Sequence, residues 1–175
     1  MPRDSETSPL IELRLLGALA SFIETGEGLA ETAALTELFR ASQPTDVTGW
    51  VRHCAAGKIL GEVVSPPTLP VTGDGAEQLF ARTANAWMAW AMGDRVKAEK
   101  ILRDAEPARG GGEIHLMALG FWCRAVGALI REDSHEAQRY FKRSMEVSAQ
   151  FGTESSIAIQ WAYVGSFFSH GGSTS

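Results

Sequence analysis

Residues in the second half of the chain match one another 39 or 40 positions apart. Ala86 pairs with Ala125 at 39, and Ala125 with Gly165 at 40. Asp94 pairs with Asp133, Ala98 with Ala137 and Leu102 with Phe141, each at 39. A repeat of this length narrows the fold sharply, because each unit is one supersecondary element that buries its apolar flank only against a neighbour. Apolar residues inside each unit follow helical spacing. Helices are expected over 76–92, 95–105, 113–130, 135–151 and 154–168. Gly93-Asp94, Pro107 with Gly110-Gly111-Gly112, Glu132-Asp133-Ser134 and Gly152-Thr153 separate them. Two antiparallel helices approach closely where small side chains meet, so Ala86 is expected against Ala98 and Ala125 against Ala137. Four residues on, Leu102 and Phe141 then fill the seam to the next pair.

The first third lacks this regularity. Ile11, Leu13, Leu15, Leu16, Leu19 and Phe22 predict a helix over 9–23, and Thr25-Gly26-Glu27-Gly28 ends it. A second helix is expected over 29–41, and Asp46 caps a third carrying Val47, Trp50, Val51 and Cys54. Ile59 to Val64 is the one β-favouring run. Pro66, Pro67 and Pro70, followed by Gly73 and Gly75, deny a continuing helix. The expected organisation is a disordered tail at 1–8, an N-terminal helical module at 9–65, a linker at 66–75, helical repeats at 76–168 and a disordered tail at 169–175.

Composition excludes several classes. The chain has 175 residues, 45% of them hydrophobic, enough for a real core. Its net charge of −5 argues against a broad nucleic-acid or anionic-membrane surface. The most apolar window, 114–130, is too short and too interrupted by His115 and Arg124 to read as a membrane span. Cys54 and Cys123 have no neighbour at metal or redox spacing, and Met1-Pro2-Arg3-Asp4-Ser5-Glu6 lacks the basic-then-apolar layout expected of a secretory leader. A cytoplasmic location follows as the expectation.

The pattern Ala98-x-x-x-Leu102 and Ala137-x-x-x-Phe141, with Ala86 and Ala125 in the preceding helices, resembles the tetratricopeptide-repeat superfamily over about residues 76–168. The period exceeds the family's 34 residues. The family's Trp-x-x-Leu-Gly-x-x-Tyr stretch is absent, and Pro107 only approximates its closing proline. The longer units look more like the extended repeats of bacterial regulators and assembly chaperones. The resemblance implies an all-α, TPR-like solenoid of helical hairpins in which the first helix of each pair lines a partner-binding groove. It places Phe80, Thr83, Trp87 and Trp90 on that groove in one unit and Leu119, Trp122, Val126 and Leu129 in the next. It implies an adaptor or assembly chaperone holding a helix or extended segment of another protein. Gly165, Trp161 and Phe168 on the last helix are the candidates for self-association.

No chemistry stands out beside this. His53, His115, His135 and His170 include no pair at i,i+3 or i,i+4, so no helical metal pair is expected. Gly110-Gly111-Gly112 matches neither a P-loop nor a dinucleotide fingerprint. No GxSxG elbow occurs. The chain is read as no enzyme, with no catalytic residue, metal or cofactor assigned. Two alternatives remain. A winged helix-turn-helix over 33–64 would make the chain a transcriptional regulator, with Thr45, Thr48, Arg52, His53 and Lys58 facing DNA. A tryptophan-lined cavity would make it a small-molecule carrier or enzyme.

Overall fold

A computed structural model describes residues 9–25, 47–62, 68–73, 75–105, 114–150 and 153–168. Seven helices form among them: α1 (Pro9–Thr25), α2 (Val47–Leu60), α3 (Gly75–Ala91), α4 (Arg95–Ala105), α5 (Ile114–Ile130), α6 (Ser134–Ser148) and α7 (Thr153–Phe168). No strand occurs among the described residues. The expected helix over 29–41, both terminal tails and Gly110-Gly111-Gly112 lie outside them.

The 39-residue repeat is visible bond by bond at the two hairpin turns. At the end of α3, Gly93 N–H donates to the Trp90 carbonyl and Asp94 N–H to the Ala89 carbonyl, both at 2.9 Å. At the end of α5, Glu132 N–H donates to the Leu129 carbonyl at 3.0 Å and Asp133 N–H to the Ala128 carbonyl at 2.9 Å. This double bond back into the last turn requires a left-handed residue just past the helix. Gly93 supplies it with φ 85 and Glu132 with φ 64. Asp94 and Asp133 then cap the following helices, accepting from the N–H groups of Lys97 and Glu136 at 3.0 Å each. Ala86, Ala98, Ala125 and Ala137 are all fully buried.

α3 pairs with α4, α5 pairs with α6, and α5 also lies against α3 and α4. α7 packs on α6 and then returns to the N-terminal helices, against α2 and α1. Gly165 is what lets α7 approach: a Cβ there would sit 2.9 Å from Ala55 Cβ and 3.2 Å from Trp87 Cζ2. One continuous apolar cluster therefore runs from Leu15, Leu16 and Leu19 through Val51 and Trp87 to Trp161 and Val164.

Two expectations about the middle of the chain change. Ile59 and Leu60 close α2 rather than open a strand, and Gly61 with φ 73 ends the helix after them. Burial of α2 against α7 outweighs a weak β preference. Val63 and Val64 lie outside the described residues. Part of the expected linker is tied down: Leu69 is buried, and its peptide is held by the Asn85 side chain of α3.

Candidate functional site

The side chains assigned to a groove are mostly interior. Thr83, Trp87, Leu119, Trp122, Val126 and Leu129 are buried, while Phe80 and Trp90 are half-buried. The cause is the return of α7. Trp87 Nε1 donates to Ser166 Oγ on that helix at 2.9 Å, across 79 residues of chain. Phe80 covers Trp122, with ring centroids 5.4 Å apart. Thr83 Oγ1 and Trp122 Nε1 are buried without a hydrogen-bond partner, so this region is filled as an apolar core. The last helix is no free flank either. Trp161 and Gly165 are buried under α1 and α2, and the side chain of Phe168 lies outside the described residues.

The candidate DNA-reading residues are likewise engaged. Arg52 donates to Glu12 through Nε at 2.6 Å and Nη2 at 3.1 Å, a bidentate pair joining α2 to α1. Trp161 Nε1 donates to the same carboxylate at 2.7 Å, so Glu12 ties three helices together while itself nearly buried. No residue of α2 from Thr48 to Leu60 is exposed, His53 and Lys58 included. A recognition helix needs an open face for a groove of DNA, whereas Arg52, His53 and Lys58 are half-buried. Thr45 lies outside the described residues.

Among the described residues, aromatic rings and arginines gather on the α5–α6 hairpin. The Phe121 ring of α5 stacks on the Tyr140 ring of α6, with centroids 6.3 Å apart and planes inclined by 25°. Arg124 lies over both rings, at 5.8 Å and 5.9 Å from their centroids. Arg139 lies 5.2 Å from Tyr140, and Arg143 lies 5.8 Å from Phe121. Both rings are half-buried, and Met117, one turn before Phe121, is 53% exposed. Arg139 and Arg143 each reach a carboxylate on their own helix, Glu136 and Glu146, at 3.6 Å. Such exposed pairs hold weakly and exchange readily. No carboxylate among the described residues pairs with Arg124, which lies against the two rings.

These residues were not singled out from sequence, although a signal existed. Met117, Phe121 and Arg124 sit at i, i+4 and i+7 of one helix, and Arg139, Tyr140 and Arg143 share a face of the next. An unpaired arginine among surface aromatics is a common interface composition.

A concavity of about 260 Å³ lies between α4 and α5 and is lined by Glu99, Leu102, Arg103, Gly127, Ile130 and Arg131. Two of its charges face other side chains: Glu99 pairs with Arg95 at 3.4 Å and Arg131 with Glu136 at 3.0 Å. Among the described residues no three His, Cys, Asp or Glu side chains come together as a metal site. Both cysteines are free and buried. Burial pushes the Cys54 thiol up to about 12 from an ordinary 9.0, with Lys58 opposing the shift, so it is a poor nucleophile. No described helix is long and apolar enough to cross a membrane. No protein-family model matches the chain, and no curated protein or solved structure matches it either.

Proposed function

We propose that this chain is a TPR-like helical-repeat adaptor that binds a segment of another protein, using the outer face of the α5–α6 hairpin rather than the tryptophans. The observation that carries this reading is the partly exposed cluster of Phe121, Tyr140 and Met117 under three guanidiniums. Aromatic rings and arginine dominate the energy of protein interfaces, because both bury large area with little loss of side-chain freedom. The overall charge of −5 favours a protein partner over nucleic acid.

The test contrasts two variants. Phe121→Ser with Tyr140→Ser removes the two rings and is expected to keep the helical signal while lowering the melting temperature, since Tyr140 also packs against the core. In native lysate it is expected to lose a partner that the parent chain retains at fixed stoichiometry. Trp122→Ala is expected to lower stability by about 3–5 kcal/mol, as for a core tryptophan. Undiminished partner retention by the surface double variant would overturn the assignment.

A further inference from the structure

The chain carries its own example of what the outer face of a repeat's first helix can hold. In the first unit, residues 68–70 run across α3, and Leu69 is buried there. Leu69 N–H donates to Asn85 Oδ1 at 2.9 Å, and Asn85 Nδ2 donates to the Leu69 carbonyl at 3.0 Å. Both polar groups of one residue reach the same side chain only when the backbone is extended, as in a strand pair. Asn85 thus grips an extended strap, and with the strap in place it is 6% exposed.

The 39-residue register that superimposes the hairpin turns carries Asn85 onto Arg124, Arg82 onto Phe121 and Gln78 onto Met117. In the second unit Arg124 and Met117 are exposed and Phe121 is half-buried, and no described residue lies over them as Leu69 lies over Asn85. By the same register Leu69 falls on Ala108, in a stretch that continues Arg109-Gly110-Gly111-Gly112 and has no large apolar residue. The chain's own sequence thus provides no second leucine anchor.

The exchange of Asn for Arg changes what is recognised. An amide offers a donor and an acceptor, matching a peptide group. A guanidinium offers donors only, in a planar fork that fits a carboxylate. Arg139 and Arg143 flank it from α6. Resting on the adaptor reading above, we propose that the α5–α6 face docks an extended acidic segment of a partner protein, an apolar residue flanked by Asp or Glu, seated over Arg124 as Leu69 is seated over Asn85.

The experiment uses the full chain and a fluorescein-labelled heptapeptide with one leucine flanked by acidic residues on both sides, read by anisotropy. Saturable binding is expected. It should weaken at least about tenfold in Arg124→Glu, and similarly when lysines replace the peptide's acidic residues. Alanine in place of the leucine should weaken it several-fold. Affinity should fall as salt rises. Gln78→Ala, on the equivalent but occupied face of α3, should leave binding unchanged. Equal affinity of Arg124→Glu for the peptide, with its fold intact by circular dichroism, overturns the proposal. So does tighter binding of a thymidine oligonucleotide than of the peptide, or an Arg124-dependent dimer in sedimentation without peptide. If the acidic peptide fails while the Phe121/Tyr140 double variant still loses a lysate partner, the segment's chemistry is wrong and the adaptor reading stands. If both fail, both fall.

Discussion

Glu132 holds a left-handed backbone, φ 64, where the equivalent turn has Gly93. A side chain in that region costs roughly 1–2 kcal/mol, and the 3.7 Å pair of exposed Glu132 with Arg95 returns little of it. Glu132→Gly is therefore expected to raise stability by about 0.5–1 kcal/mol, read as a higher urea midpoint. The reverse exchange, Gly93→Ala, should lower it by about 1 kcal/mol. Cys54 is a second residue with a defined signature. Its thiol is neutral when protonated, and burial raises its pKa in the folded state. Unfolding therefore releases a proton between about pH 9 and about pH 12, and stability falls as pH rises through that window, by up to ~1.4 kcal/mol per unit. Urea midpoints of the parent chain and of Cys54→Ala should converge between about pH 8 and about pH 10.5. A constant difference would contradict the shift.

At the scale of elements, what was local could be read in advance. Asp94 and Asp133 stand out because a capping carboxylate and its turn lie within a few residues of each other. Helices on either side of the two hairpins followed from spacing alone. What was non-local could not be read. Arg52 looks like a free donor until Glu12, 40 residues away, is placed against it. Trp87 looks like a groove residue until Ser166 arrives on α7. Leu69 looks like linker until Asn85 grips it. Two of these ties have measurable consequences. Asn85→Ala leaves the buried Leu69 peptide without its partner and is expected to cost about 2–3 kcal/mol, with faster amide exchange in 68–70. Glu12→Ala leaves Arg52 and Trp161 Nε1 unsatisfied at once, and a loss of about 3–5 kcal/mol is expected in chemical denaturation. A change under 1 kcal/mol in either variant would contradict the contact concerned.

For the molecule as a whole, the decisive fact is that α7 returns to α1 and α2. A set of stacked hairpins would leave its last helix as an end and its first helices as a separate module. Here Trp161 and Trp87 share an interior with Leu16 and Val51. One cooperative unfolding transition is expected, with tryptophan fluorescence and far-ultraviolet ellipticity changing together. On the proposed reading the same closure, which buries Trp87, Trp122 and Trp161, puts the binding surface on α5–α6. A photo-crosslinking residue placed at Met117 tests this most directly, against the same residue at Val96, which is 77% exposed on α4. The expected result is a discrete protein adduct from Met117 alone, competed away by the acidic peptide. Equal labelling from both sites, or a discrete adduct from Val96 only, would contradict a binding face on the α5–α6 hairpin.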